Sequence, residues 1–221
     1  MTDVSVLERV DRYIEDLFTP QDPALIQNID DANAAGLPPI NVSPNQGKLL
    51  YLLARIAGAR RILEIGTLGG YSTTWLARAL PPDGVVVSLE LDPKHADVAR
   101  RSIARAAPDR QVEIRVGRAA DTLKAMIAKR EPSFDFIFID ADKPGYSEYL
   151  ELALQLSRSN TVIVADNLIR NGLVLETSPP DENATAARAF NAAIAANDRL
   201  ESIILPIMRK TIDGLSISIV R

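Results

Sequence analysis

Five short apolar runs punctuate the middle of this chain: Ile62 to Ile65, Val85 to Leu89, Val112 to Val116, Phe134 to Ile139 and Val162 to Ala165. Helical stretches separate them, over Ser72 to Leu80, Pro93 to Ala106, Ala119 to Arg130 and Tyr146 to Leu156. Apolar runs without polar alternation belong to strands buried on both faces, and strands joined through helices run parallel. The alternation therefore requires a parallel sheet covered by helices on both sides, an α/β fold.

The flanks extend this pattern. Val6, Val10, Tyr13, Ile14 and Leu17 fall at helical spacing, so Ser5 to Phe18 reads as an amphipathic helix and Pro23 to Ala35 as a second. Ser43-Pro44-Asn45-Gln46 combines a serine cap, a proline at the first helical position and a glutamine at the third. That is a helix start leading into Leu49 to Ala57. Downstream, a helix over Asn183 to Ala196 precedes two strand-like runs, Leu200 to Ile207 and Leu215 to Val220. The polar stretch between them, with Asp213-Gly214, reads as the turn of a terminal hairpin. Asn171 to Asn183, with Pro179-Pro180, reads as a mobile loop. No linker and no repeat interrupts the 221 residues, so one domain over 1–221 is expected, with 1–42 as its helical cap.

Composition narrows the classes of function. The 25 basic and 29 acidic residues give a net charge of −4, and no lysine or arginine run forms a phosphate-tracking stripe, so nucleic acid is not expected as a partner. The absence of cysteine excludes disulfides, thiolate metal sites and thiol nucleophiles. Met1 to Phe18 is charged and lacks the apolar core of a leader, and no stretch approaches the ~20 apolar residues of a membrane span. A cytoplasmic protein without a membrane partner is the expectation.

The chemistry sits at strand ends. Phe134 to Ile139 runs directly into Asp140, Ala141, Asp142 and Lys143, and Val162 to Ala165 delivers Asp166 and Asn167 in the same manner. Open α/β sheets bind ligands at such tips, and Asp140, Asp166 and Asn167 offer the hard oxygens that Mg²⁺, Ca²⁺ or Mn²⁺ prefer. The first strand ends in Glu64-Ile65-Gly66-Thr67-Leu68-Gly69-Gly70, where glycine permits close backbone approach to a ligand. The spacing is not that of a dinucleotide-binding turn, and Glu64, expected to aim at the crevice, would repel a pyrophosphate. Glu90 ends the second strand, where an acid takes ribose hydroxyls. A ligand with a ribose, a cationic amine and no phosphate suits both acids.

These segments resemble a known family over nearly the whole chain. Leu63 to Ser72, Phe134 to Tyr146 as F-D-F-I-F-I-D-A-D-K-P-G-Y, Val164 to Asn167 with Asn171-Gly172, and Asp213-Gly214-Leu215 are similar to the cation-dependent O-methyltransferases, a group including the caffeoyl-CoA and, more distantly, catechol enzymes. The resemblance implies a doubly wound, Rossmann-like seven-stranded sheet of order 3-2-1-4-5-7-6, strand 7 antiparallel, with extra N-terminal helices and a homodimeric assembly. It further implies S-adenosylmethionine and a divalent cation, Mg²⁺ foremost, as cofactors and a small phenol as acceptor. By the same resemblance Asp140, Asp166 and Asn167 are the metal ligands, and Lys143 with Asp140 is catalytic. Val42, Glu64, Gly66, Thr67, Ser72, Glu90, Ala119, Asp140 and Asp142 would contact the methyl donor, and Asn171 and Lys143 the acceptor. One departure is plain: the plant enzymes carry tryptophan before that asparagine, where this chain has Arg170.

Alternatives stand beside this reading. Asp140 and Asp166 can be strand-end carboxylates paired with lysine, Lys143 can pair with Asp142, and Glu64 with Arg60 or Arg61. The lone His95, at the start of a helix, is expected to be solvated. A nicotinamide-dependent oxidoreductase and a non-catalytic binding protein on the same sheet are the competing functions.

Overall fold

The computed structural model describes residues 4–19 and 22–221. Seven strands form one sheet: β1 (Arg61–Ile65), β2 (Val85–Glu90), β3 (Gln111–Val116), β4 (Phe134–Ile139), β5 (Ser157–Ala165), β6 (Leu200–Met208) and β7 (Ile212–Val220). Their order is β3-β2-β1-β4-β5-β7-β6. The first five pair in parallel, while β7 runs antiparallel to both β5 and β6. The expected topology is thus the observed one, and the chain reverses its strand order between β1 and β4, where such sheets open a crevice.

The helices are α1 (Val4–Phe18), α2 (Pro23–Ala34), α3 (Pro44–Ile56), α4 (Tyr71–Ala79), α5 (Pro93–Ala106), α6 (Ala119–Ala128), α7 (Tyr146–Gln155) and α8 (Glu182–Ala196). Ser43 caps α3 with the full reciprocal box: its hydroxyl accepts from Gln46 N and the Gln46 side chain accepts from Ser43 N. Among the described residues, no helix is long and apolar enough to cross a membrane.

Two apolar layers flank the sheet. Ile137 and Ile139 pack with Leu123, Leu150 and Phe190 on one face, whereas Phe136 and Phe138 pack with Leu50, Leu76 and Leu215 on the other. Each fully buried phenylalanine contributes roughly 1.5–3 kcal/mol, so β4 is clamped from both sides. A register shift between Phe134 and Phe136 turns Phe134 into the first layer and leaves Asp135 to accept the N–H groups of Arg60 and Arg61.

Two expectations need correction. The hairpin turn lies at residues 209–211, with Asp213 and Gly214 inside β7, paired to Ile207 and Pro206. A Cβ at Gly214 would overlap Ile169, so this glycine permits close packing on the loop after β5 and makes no turn. The stretch expected as a mobile loop begins with a 3₁₀ segment over Arg170–Leu175. Asp213 Oδ1 accepts the N–H groups of Ile169 and Arg170 and fixes its start.

Candidate active site

A cleft of about 1090 Å³ opens at the C-terminal ends of β1, β2, β4 and β5. Gly66 makes it possible. Its φ of 102° lies in the region that favours glycine, and a Cβ there would overlap the carbonyl oxygen of Asp140. The β1 and β4 tips therefore touch backbone to backbone, with Asp140 N donating to Ile65 O at 2.9 Å.

Val42, Gly66, Thr67, Ser72, Glu90, Ala119, Asp140, Asp142, Lys143 and Asn167 all line this cleft. Glu64 does not. Its carboxylate is fully buried and accepts from the hydroxyls of Ser72 (2.6 Å), Thr73 (2.5 Å) and Ser88 (2.6 Å). Burial pushes its carboxyl up to about 7 against the pull of these hydroxyls. It makes no pair with Arg60 or Arg61: Arg60 pairs with Asp83, and Arg61 Nε has no partner among the described residues. Glu90 accepts from Thr67 N at 3.2 Å and Leu68 N at 2.7 Å, holding the glycine turn from the neighbouring strand.

The oxygen set comes from two adjacent strands. Ile139 and Ala165 are register partners, so Asp140 and Asp166 follow side by side, and Asp166 N donates to Ile139 O at 3.1 Å. Asp166 is buried, its Oδ1 accepting from Asn167 N and its Oδ2 from Gln46 Nε2 at 2.9 Å. Asn167 turns out of the strand with a left-handed φ of 61°. Desolvation raises the Asp140 carboxyl while Lys143 draws it down; desolvation and then the Asp140 charge raise Asp166. Two desolvated carboxylates with a single lysine, paired to Asp140 alone, form an under-compensated site, the electrostatic condition a divalent cation relieves. Among the described residues, no three His, Cys, Asp or Glu side chains gather as a metal cluster. The donor set is two carboxylates and one amide, which suits Mg²⁺ because that ion keeps waters or substrate oxygens in its shell.

Lys143 is 7% exposed. Its Nζ reaches Asp140 Oδ1 (3.2 Å), Ala141 O (3.1 Å) and Tyr146 Oη (2.6 Å). The partner is Asp140 and not Asp142, whose carboxylate accepts from Tyr149 Oη at 2.6 Å. Burial, followed by the charges of Asp140 and Asp166, holds the Tyr146 phenol well above its usual range, so it stays a neutral hydroxyl. Asn171 is exposed and outside the cleft lining; its Oδ1 accepts from Ile212 N. His95 is not simply solvated, since it lines the cleft with Nδ1 3.5 Å from Glu90 Oε1. Gln46, Tyr146 and Tyr149 were not singled out for the site from the sequence. Gln46 showed only as a capping residue, and nothing local revealed its second bond, to a residue 120 positions away.

A mixed seven-stranded sheet with this strand order, its last strand antiparallel, and a cleft over the β1 turn define a class I methyltransferase. A family model described as O-methyltransferase matches residues 20–218, and the chain belongs to that family of S-adenosylmethionine-dependent enzymes. A catechol O-methyltransferase of Niastella koreensis is 49% identical over 98% of both chains. One from Mycobacterium tuberculosis is 45% identical over 96% of this chain and 95% of its own. The crystal structure of an O-methyltransferase from Bacillus cereus in complex with SAH superposes with a TM-score of 0.95 at 45% identity, covering 99% of this chain and 100% of that one.

Proposed function

We propose that this enzyme methylates one hydroxyl of a small phenol bearing two neighbouring hydroxyls, with a divalent cation, Mg²⁺ foremost, held by Asp140, Asp166 and Asn167. The observation that carries this reading is the β4–β5 pairing, which sets Asp140, in the lining of the cleft at the Gly66 turn, beside Asp166, which is buried and outside that lining. The two relatives named as catechol O-methyltransferases support the acceptor class. The cleft volume of about 1090 Å³ exceeds the ~300–1,000 Å³ of a site for one drug-sized ligand, which leaves room for donor and acceptor together.

Val42, Gly66, Thr67, Ser72, Glu90, Ala119, Asp140 and Asp142 hold the methyl donor, with Glu64 acting on it through Ser72. Asn171 acts on the acceptor side by fastening its loop to Ile212. A phenol titrates near ~10 and is a poor nucleophile at neutral pH; the bound cation, when present, supplies the positive charge that favours the phenolate. Lys143 Nζ, having released its resting proton to solvent, takes the hydroxyl proton as a neutral amine, and Ala141 O and Tyr146 Oη fix where that nitrogen stands. The phenolate oxygen bonds to the methyl carbon as the carbon–sulfur bond breaks, leaving a methyl ether and S-adenosylhomocysteine. No bond to the protein forms, so positioning dominates, an effect of roughly 7–11 kcal/mol in favourable systems.

The test is methyl transfer from labelled S-adenosylmethionine to catechol after exhaustive EDTA treatment, with and without restored Mg²⁺. Product only after Mg²⁺ addition supports the reading, and equal product in both arms contradicts it. We also propose a homodimer, supported by the apolar residues Val6, Val10, Tyr13 and Leu17 that α1 leaves exposed. Light scattering would then give twice the chain mass of 24.1 kDa.

A further inference from the structure

Arg170 stands on the acceptor wall of the cleft without an acid to answer it. It follows the β5 tip by five residues and lines the same cavity as Asp140, Lys143 and Asn167. Its backbone is fixed. Arg170 and Asn171 both adopt left-handed φ, 48° and 57°, and the Asp213 and Asn171 side chains accept the N–H groups of Ile169, Arg170 and Ile212. The side chain makes no hydrogen bond and no ion pair among the described residues, whereas the cleft carboxylates of Glu90, Asp140 and Asp142 each have a donor. Its Nε is shut away from solvent with no acceptor.

A buried guanidinium N–H without an acceptor is an unfavourable arrangement in a protein standing alone. The Nη groups of the same guanidinium are not shut away and make no hydrogen bond among the described residues, so they are the donors an anionic ligand in the cleft would meet. The planar fork of arginine matches a carboxylate with two parallel N–H donors, a geometry lysine cannot reproduce. The nearby acid, Asp213, turns Oδ1 to three backbone N–H groups, and its carboxylate makes no ion pair with the Arg170 guanidinium among the described residues. The acceptor pocket thus joins, on one wall, a centre for vicinal oxygens and an unmatched cation.

We propose that Arg170 is a specificity-determining residue that binds a carboxylate carried by the phenolic acceptor, so that catechols with an acid substituent, of the dihydroxybenzoate or dihydroxycinnamate type, are the preferred substrates. This rests on the reading of the cleft as a site for methylating vicinal diphenols.

The experiment compares kcat/KM for 3,4-dihydroxybenzoate and 3,4-dihydroxybenzamide, which share the reacting hydroxyls and differ in charge, using the Mg²⁺-loaded full chain. The wild type should favour the acid by about 10- to 100-fold, the range expected for hydrogen bonds to a charged group. In Arg170→Gln the ratio should fall to near one through a raised KM for the acid, and Arg170→Lys should retain an intermediate ratio. Equal use of acid and amide by the wild type overturns the inference even if the variants fail to fold. So does an unchanged ratio in folded Arg170→Gln, with folding checked by thermal melting with S-adenosylhomocysteine. Failure of the wild type to methylate either compound removes the underlying functional reading and this inference with it, whereas methylation of both at equal rates removes the inference alone.

Discussion

Gln46 Nε2 donates to Asp166 Oδ2 at 2.9 Å while Gln46 Oε1 accepts from Ser43 N at 3.1 Å, so one buried amide ties the start of α3 to the tip of β5. Both ends of the amide are used, which fixes its orientation and, through it, the rotamer of Asp166. Groups that orient a metal ligand commonly change metal affinity by 10- to 100-fold. Gln46→Leu should raise the Mg²⁺ concentration for half-maximal activity by at least about tenfold. It should also cost about 1 kcal/mol of stability from the broken cap. Mg²⁺ titration of methyl transfer and urea unfolding measure the two effects. An unchanged half-saturation would remove Gln46 from the metal side.

Glu64 should set a pH dependence of stability. Its carboxyl is raised from 4.5 to about 7 in the folded chain by burial, so the contribution is full below the unfolded value. It is lost as pH rises toward the folded value. The difference corresponds to about 3 kcal/mol. Glu64→Gln should remove that slope, so that unfolding free energies at pH 5 and pH 8 differ by about 2–3 kcal/mol less than in the wild type. Identical slopes in the two proteins would show that Glu64 is ionised without penalty.

Lys143→Met should lower kcat by roughly 10²- to 10⁴-fold, the usual span for a general base, with binding of S-adenosylhomocysteine retained. Tyr146→Phe removes the hydroxyl at 2.6 Å from Nζ and should reduce kcat less, by about tenfold. Single-turnover kinetics separate these effects from product release. A Lys143→Met enzyme with wild-type kcat would assign the proton to another acceptor.

Gly66→Ala should be far more damaging than its size suggests. The new methyl would meet the Asp140 carbonyl, and φ of 102° is unfavourable for any side chain. A loss of roughly 2–4 kcal/mol is expected, with weakened Mg²⁺ response because the β4 tip must shift. Thermal melting with and without Mg²⁺ reads both. A stable, fully active variant would mean that the two strand tips do not touch.

The sequence made the sheet legible because doubly covered parallel strands leave uninterrupted apolar runs, as Phe134 to Ile139 does. It also exposed the strand ends that carry Asp140, Lys143, Asp166 and Asn167. The order of the strands came from resemblance to a family, since periodicity says which residues are buried but not which strands are neighbours. Asp213-Gly214 misled because the same dipeptide that favours hairpin turns serves here to receive Ile169 and to bind the loop after β5. Glu64 misled for a different reason. A strand-end acid can face the crevice or the helix behind it, and the hydroxyls that decide the matter come from two other elements, Ser72 and Thr73 on α4 and Ser88 on β2. Gln46 was hidden by distance, its partner Asp166 lying 120 positions away, whereas His95 meets the nearby Glu90 only because the start of α5 turns back onto the β2 tip.

The most direct test is a crystal structure of the chain with S-adenosylhomocysteine and Mn²⁺, read by anomalous scattering. A shared oxygen centre requires one peak about 2.0–2.3 Å from side-chain oxygens of Asp140, Asp166 and Asn167 together, at the edge of the cleft beside the bound nucleoside. A saturated crystal with the ion elsewhere, or with no ion while the nucleoside is bound, would contradict it.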